Sequence, residues 1–470
     1  MNLLSLFKKK TEAPEIRVQK RYFSASERSR LTDWVASYGK MNYNLKSELV
    51  PIVLHARAFA VNNELVCGIL ENYRRNVIGP DGFILQSKSK RSAQIEAEWE
   101  DYNSRSGGYL TFDHRQSGRD FDNLILRSII VDGEAFIHRE YDSNSKYGYR
   151  YELIDSLDID PYYNEELPNG GRIVMGVELN AAGEEVAYWM REDRSVDFYF
   201  SGSRIRIPAE NMIHVYRKLD PGQARGYSVL APILKKINHL EAYEEAEIVH
   251  ARAQSCVMGI WEKTGTAGDI MDETNANGEI ASTLEPGSFK FAPEGYSPRF
   301  LQNSSPSANF ANFWKNLTRT IANAIGLSYN KASGDYESVN YSSLREASLE
   351  DRATYEELQK FFIENWKDIQ FRDFLRIGIL TGRYSPKTNF GHRFFGRRFQ
   401  WVDPLKEISA LEKEFSLGLT DPITEIEKRG FDPDEIIERT RLWQEKCRKA
   451  GITFNLNSNA LDANILNEEE

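Results

Sequence analysis

Five acidic residues, Asp155, Asp158, Asp160, Glu165 and Glu166, crowd a short stretch around Pro161, and carboxylates brought together can hold magnesium for a nuclease. Their spacing is irregular and the setting loop-like, so a solvated surface or a subunit contact is the favoured reading. Glu247-Ile248-Val249-His250 sets a carboxylate and an imidazole at i and i+3, the spacing of carboxylate di-metal bundles. Such a centre needs a second Glu-x-x-His pair, which the chain lacks, and a solvated charged helix face explains the first one more simply. The run His392 to Trp401 interleaves basic and aromatic residues, as a nucleic-acid contact would, with Arg on phosphate and rings on bases. It also alternates like a strand with one buried and one charged face. The strand is favoured, because duplex DNA offers no free bases to stack upon.

Other chemistry is missing from the sequence. There is no Gly-x-x-x-x-Gly-Lys-Ser/Thr phosphate loop, no Gly-x-Gly-x-x-Gly, no His-Glu-x-x-His and no Gly-x-Ser-x-Gly elbow. With seven histidines, no nucleophile, base and orienting group can be assembled. The reading names no catalytic residue, no metal ligand and no cofactor.

The elements that would position any site are those of a folded protein of mixed class. The 470 residues are 41% hydrophobic, with 25 Phe, 23 Tyr and 8 Trp, which excludes wholesale disorder. The net charge is −10, against the basic balance usual in proteins that grip DNA tightly, although an acidic wall could let DNA pass without sticking. Cys67, Cys256 and Cys447 lie far apart and suggest neither disulfides nor a zinc site. No apolar run approaches the roughly 18 residues of a membrane span, and the apolar start, Met1 to Phe7, is too short for a signal peptide. A soluble protein made inside the cell is expected.

Residues 1–45 read as a polar arm with a short helix near Glu27–Tyr38. Helical spacing starts near Pro51 and stops at Val77-Ile78-Gly79-Pro80, a strand is expected at Phe83–Gln86, and residues 92–130 read as more helix. Strands follow to about Tyr216, with one containing Ile173, Val174, Val177 and Leu179, and turns at Asn169-Gly170-Gly171 and Ala182-Gly183. Ser228 could cap a long helix reaching about Ser255, with Leu230, Ile233, Leu234, Ile237 and Leu240 as its stripe and Glu241, Glu244, Glu245 and Glu247 beyond. Residues 256–306 hold strand-like pieces at Cys256–Trp261 and Ser288–Ala292 and a polar insert at Thr264–Ser282. A second helix, about Ala308–Ile325, carries Phe310, Phe313, Trp314, Leu317 and Ile321 on one side. A polar loop, Ser328 to Tyr341, precedes a helix from about Ser342 to Trp366, and the tail from Asp403 reads as helical and charged.

Seven local strings along this path, in order, are Val61–Gly79, Gly133–Phe136, Arg225–Pro232, Glu241–Glu247, Leu284–Gly287, Val339–Ser343 and Trp401–Pro404. In their content and order the chain resembles phage portal proteins of the lambda-type family. The resemblance implies an α+β portal fold and a ring of about twelve copies round a central channel. It implies an N-terminal arm at 1–45, a wing at 46–227, stem helices at 228–255 and 307–327, and a clip at 256–306. A tunnel loop at 328–341, the rest of the wing at 342–402 and a helical crown and tail at 403–470 complete it. The implied function is structural: a channel at one capsid vertex for packaging and ejecting double-stranded DNA. Its implied partners are other copies of itself, the DNA, the large terminase, head-completion or adaptor proteins, and major capsid and scaffold proteins. The implied setting is the virion, with the host cytoplasm during assembly, and no membrane.

On that scheme the tunnel-loop residues nearest DNA are Lys331, Asp335, Tyr336, Glu337 and Asn340, with Gly334 as a flexible point. Their mixed charge suits DNA that must slide, since a basic clamp would stall it. Glu241, Glu244 and Glu245 either line the channel as an acidic ring or pair with cations of the neighbouring copy. Two other functions stand beside this one: a metal-dependent nuclease built on the Asp155–Glu166 carboxylates, and a capsid adaptor without a DNA channel.

Overall fold

The computed structural model describes residues 40–192, 202–256, 260–263, 296–299, 310–337, 339–399, 404–429 and 433–452. The expected Glu27–Tyr38 helix, the Thr264–Ser282 insert, the Ser288–Ala292 strand and the string Leu284–Gly287 lie outside the described residues.

Helix α1, Met41–Asn62, starts ten residues before Pro51, which sits inside it. Its early apolar positions, Leu45, Leu49, Val50 and Val53, are buried, and this burial outweighs the one hydrogen bond that proline cannot make. The run expected to continue as one helix breaks at Asn63. This residue is extended and caps α2, Glu64–Tyr73, by accepting from Val66 N–H at 3.1 Å. A π-helical turn, Arg74–Ile78, ends at Gly79 (φ 76°). Strand β1, Ile84–Ser87, leads to α3, Ser92–Asn103, and α4, Gly118–Val131, so residues 92–130 form two helices rather than one stretch. Ser117 and Asp120 make a reciprocal capping box at the start of α4, whose Phe121, Ile125, Leu126 and Ile129 are buried.

Two antiparallel sheets follow. Strands β2 (Glu134–Tyr141), β3 (Tyr149–Ile154) and β9 (Met212–Tyr216) run in the order β3-β2-β9. Strands β4 (Glu165–Glu166), β5 (Arg172–Val174), β6 (Val177–Leu179), β7 (Glu185–Arg191) and β8 (Arg204–Pro208) form a five-stranded meander. The single strand expected through Ile173–Leu179 is instead the β5–β6 hairpin. Val174 pairs with Val177, and both residues between them are left-handed, Met175 at φ 49° and Gly176 at φ 82°. That is the turn whose twist matches a two-residue hairpin.

Helix α5, Ala231–Cys256, and α6, Phe310–Ala324, flank the segment that contains β10 (Ile260–Lys263) and β11 (Tyr296–Arg299), paired antiparallel. Cys256 therefore ends the helix rather than opening a strand. After α7, Tyr329–Ser333, helix α8, Tyr341–Phe362, passes through a π turn, Ile363–Lys367, into α9, Asp368–Leu380. The expected stop at Trp366 is thus a change of helical pitch, with fourteen more residues of helix beyond it. Strand β12, His392–Phe395, pairs with β1, with Ile84 opposite Phe395. Helices α10 (Pro404–Ser416), α11 (Pro422–Lys428) and α12 (Pro433–Lys449) complete the described chain.

The larger core gathers α2–α4, the inner faces of β2, β3 and β9, the bases of α5 and α6, and α8–α9. Trp366 and Lys367 on the π turn reach Asp122 of α4 in its interior at 2.7 and 3.1 Å. A second core lies between the start of α1 and the five-stranded sheet.

Candidate functional site

The helix pair α5 and α6 changes character along its length. At its base Leu230, Ile233, Ile237 and Leu240 are buried, as the apolar stripe predicted, and Ile321 and Ala322 of α6 pack in the same core. Ser228 is buried just ahead of the helix, where its Oγ accepts from Leu230 N–H at 3.2 Å. Further out, Tyr243 meets the rings of Phe310 and Phe313 at 5.4 and 5.0 Å. There Ile248 (52%), Val249 (54%) and Phe313 (47%) are exposed. A charged, ring-braced pair therefore leaves a buried base, with apolar side chains that one copy alone does not cover.

Glu241, Glu244 and Glu245 part company. Trp314 Nε1 donates to Glu244, which is half-buried. Burial, helped by nearby Glu64 and Glu241, raises the pKa of Glu244 above the usual carboxylate range, against the Trp314 bond. Glu241 and Glu244 line a cleft of about 410 Å³ shared with Glu64 and Lys331, whereas Glu245 is exposed outside it.

The segment 328–341, expected as a flexible loop, contains a capped helical turn. Ser328 caps α7, Gly334 ends it in the left-handed conformation (φ 72°), and Ser328 N–H and Oγ donate to Asp351 at 2.6 and 2.7 Å. Asp335 accepts from Tyr329 Oη at 2.9 Å and lies 3.7 Å from Lys315 Nζ. The Glu337 N–H and then the Tyr329 hydroxyl hold its pKa below the usual value. Lys315 and Arg319 stand over the Tyr329 ring. Asn72 Nδ2 donates to Lys331 O at 2.8 Å, and Tyr73 Oη donates to Ile325 O. Asn340 caps α8 by accepting from Ser343 N–H at 2.8 Å. Among the five loop residues, Asp335 and Asn340 thus hold the segment's own shape. Tyr336 and Glu337 face outward, and Lys331 is anchored through its backbone while its side chain lines two clefts.

Two strings singled out only as sequence, Gly133–Phe136 and Arg225–Pro232, meet at the base of α5. Arg225 is fully buried. It donates to Glu134 Oε1 at 2.8 Å and to the carbonyls of Ser156 (2.7 Å), Met175 (2.7 Å) and Ile159 (3.2 Å). Glu134 also takes Gly226 N–H at 2.7 Å and contacts His214 Nε2 at 2.9 Å. His214 is stacked between Phe136 and Tyr216 at 4.1 Å. Burial would raise the Glu134 pKa, but the Arg225 charge and the His214 contact overcome it and hold the carboxyl at about 2. Gly133, at φ 93°, lets the chain pass so close that a Cβ there would lie 2.3 Å from the Tyr227 carbonyl carbon. This joint ties both sheets to the base of α5. Sequence spacing carried no signal for it, since the partners are 91 residues apart.

The three aspartates of the acidic stretch are committed to ion pairs. Asp155 pairs with Arg57 at 2.8 Å, Asp158 with Arg191 at 3.1 Å and Asp160 with Arg204 at 2.6 Å. Glu165 takes the Tyr163 hydroxyl at 2.6 Å, and Glu166 is exposed. His250 lies 3.9 Å from Glu247. Of the run His392–Trp401, only His392–Phe395 is a paired strand, and Phe394 and Phe395 are buried side by side, so the strand stands over its first four residues but the expected alternation of a buried and a charged face does not.

The sequence profile described as "Phage portal protein, lambda family" matches residues 27–359. The chain is 27% identical over 469 residues to a probable portal protein of Halomonas phage phiHAP-1, covering 94% of this chain and 90% of that one. It is 22% identical over 404 residues to portal protein B of Escherichia phage lambda, covering 77% and 75%. A solved chain from the neck of a native GTA particle superposes with a TM-score of 0.49 at 12% identity, over 82% of this chain and 94% of that one.

Proposed function

The chain belongs to the lambda family of phage portal proteins, and on that premise we propose how its parts serve a DNA channel at a capsid vertex. The function is that of a portal, and the family is structural. In this reading about twelve copies close into a ring by cyclic symmetry. Helices α5 and α6 are the stem, 256–306 the clip, 328–341 the tunnel segment, 46–227 and 342–402 the wing, and 403–470 the crown and tail. The chain itself catalyses nothing, and ATP hydrolysis belongs to a separate terminase motor that docks at the clip until head-completion proteins replace it. Assembly takes place in the host cytoplasm with capsid and scaffold proteins.

The observation that carries this reading is the helix pair. Its base is locked into the core, its outer half exposes Ile248, Val249 and Phe313, and it flanks the clip-sized segment. The tunnel segment follows at its base, held by Asn72, Asp351 and Lys315.

The test is the native mass of the purified chain with images of the same sample. Rings of about a dozen copies with an axial hole support the reading, and rings closed at the axis refute the channel. The variant Lys331→Ala/Asp335→Ala/Glu337→Ala is expected to assemble but to package or retain DNA poorly. Normal packaging by that variant removes the segment from the mechanism. Loss of DNA cleavage by the pure protein on changing Asp158 and Asp160 to Ala would favour the nuclease instead.

A further inference from the structure

A groove of about 1040 Å³ lies between the π turn after α2, the Pro80–Gly82 turn, α8 and residues 396–399. Its walls carry Arg75, Arg119, Lys331, Arg352, Arg397 and Arg398. The carboxylates among its lining residues are Asp81 and Asp351, and Asp351 is engaged by Ser328; just outside the lining, Glu71 pairs with Arg75 at 2.7 Å and Asp120 lies 3.8 Å from Arg119, so the cations still outnumber the carboxylates. In a chain of net charge −10, this is a local reversal of sign. It is also built rather than incidental. Arg397 packs across Gly79, where a Cβ would stand 3.0 Å from its own, and donates to Arg75 O. Arg119 Nη1 holds Pro80 O at 2.7 Å. Phe399 stacks on buried Tyr355, closing the floor.

We infer that this groove binds the phosphate backbone of duplex DNA. Guanidinium forks match phosphate oxygens two at a time and stay charged at any working pH. A protein partner is the poorer fit, because protein interfaces centre on a charge-depleted apolar patch. Ile84 is the one large apolar side chain among the groove's lining that is more than half exposed. A second groove, of about 1310 Å³, lies across the same 396–399 segment and shares Arg352, Arg397 and Arg398. It also holds Glu356, Glu364, Asp368 and Glu425, so its charge is mixed and no polyanion is favoured there.

The inference rests on the portal reading for the presence of DNA and adds to it a site with a grip. Lys331 belongs to both the tunnel segment and the groove. The tunnel segment offers mixed charge and weak hold, and the groove beside it offers a row of cations. Duplex that pauses at the tunnel segment gains phosphate contacts in the groove that shares Lys331 with it.

The experiment measures binding of a short labelled DNA duplex to the full-length protein across a salt series, with native mass and images taken on the same sample. In Arg75→Gln/Arg119→Gln/Arg398→Gln, the slope of log affinity against log salt should fall by roughly two to three, about 0.9 per lost phosphate contact. Affinity at low salt should drop at least about tenfold. All three positions are exposed, and the matching triple Lys variant, which keeps the charges, should keep most of the slope. An unchanged slope in the Gln variant overturns the inference. So does displacement of the duplex by poly-glutamate at equal charge concentration, which would make the groove a protein-docking surface. Open rings with an unchanged slope refute the groove and leave the portal reading standing. Groove-dependent binding without rings supports the groove and counts against the portal reading.

Discussion

Replacing Arg225 by Met is expected to loosen the base of α5 far more than a substitution at any exposed position of that helix. Arg225 is fully buried and serves one carboxylate and three carbonyl oxygens. Removing one partner of a buried ion pair costs about 3–5 kcal/mol. Each carbonyl left without a donor adds about 1 kcal/mol or more, in part non-additively. A total of roughly 6 kcal/mol follows, which at about 2.1 cal/mol/K per residue is a thermal shift of about 6 °C for a chain of 470 residues. The companion change Glu134→Gln removes the charge that Arg225 serves. The double variant should therefore be more stable than the sum of the two singles predicts, by at least ~1.5 kcal/mol. Thermal melts by near-ultraviolet circular dichroism read the aromatic core directly. Amide exchange should show lost protection first at residues 156–176 and 226–234. A shift below about 3 °C for Arg225→Met, or strictly additive effects in the double variant, would refute the claim that this joint couples the sheets to α5.

Two further expectations come from the same region. Gly133→Ala meets both a left-handed backbone and a Cβ contact at 2.3 Å, so it should leave little folded protein. Gly183→Ala, equally left-handed but with open space around it, should cost only about 1 kcal/mol in the same melts. Acid should weaken the joint in a defined window. Glu134 and Glu185 are held at about 2 against an ordinary 4.5, burial being overcome by Arg225 and His214 for the first and by His214 for the second. Their contribution is full above about pH 4.5 and is lost as pH falls toward 2, about 3 kcal/mol for Glu134. Melting temperature against pH should therefore drop on the acid side, and less steeply in Glu134→Gln.

What the sequence disclosed is what repeats at short range. The α5 stripe from Leu230 to Leu240 follows helical spacing and is buried where expected, and the Gly170 and Gly183 turns sit between paired strands. Met175 was missed as a turn because a left-handed methionine announces nothing; its neighbours force it. The helix past Trp366 was missed because a π turn shifts the apolar phase without a proline or glycine to mark it. The α7 turn was legible after all, since Ser328 and Gly334 are a cap and a stop six residues apart. The buried pairs were not, because Arg139 and Asp373 are 234 residues apart and Lys367 and Asp122 are 245. No local spacing encodes such partners. Nor could residue type say that Glu244 leans inward on Trp314 while Glu245 faces out.

The division of labour along the α5–α6 pair follows from where each charge is neutralised. At the base, charge is neutralised inside one copy: Glu134 by Arg225, Asp132 by Arg57 at 2.6 Å, Asp335 by Lys315. The first two pairs are short, the third is looser at 3.7 Å, and the pair at the joint is also dry, so it fixes geometry and responds little to salt. Farther out, Glu241 and Glu245 are exposed beside bare Ile248 and Val249. Apolar area of that kind gains about 25 cal/mol per Å² only when something covers it. In the proposed ring the cover is the next copy's stem. Stability of the outer stem then depends on assembly, whereas stability of its base does not. In the proposed ring this order of strengths would keep the base of the helix pair rigid and let its outer half set only on closure, because the paired charges lie low and the exposed apolar side chains lie high.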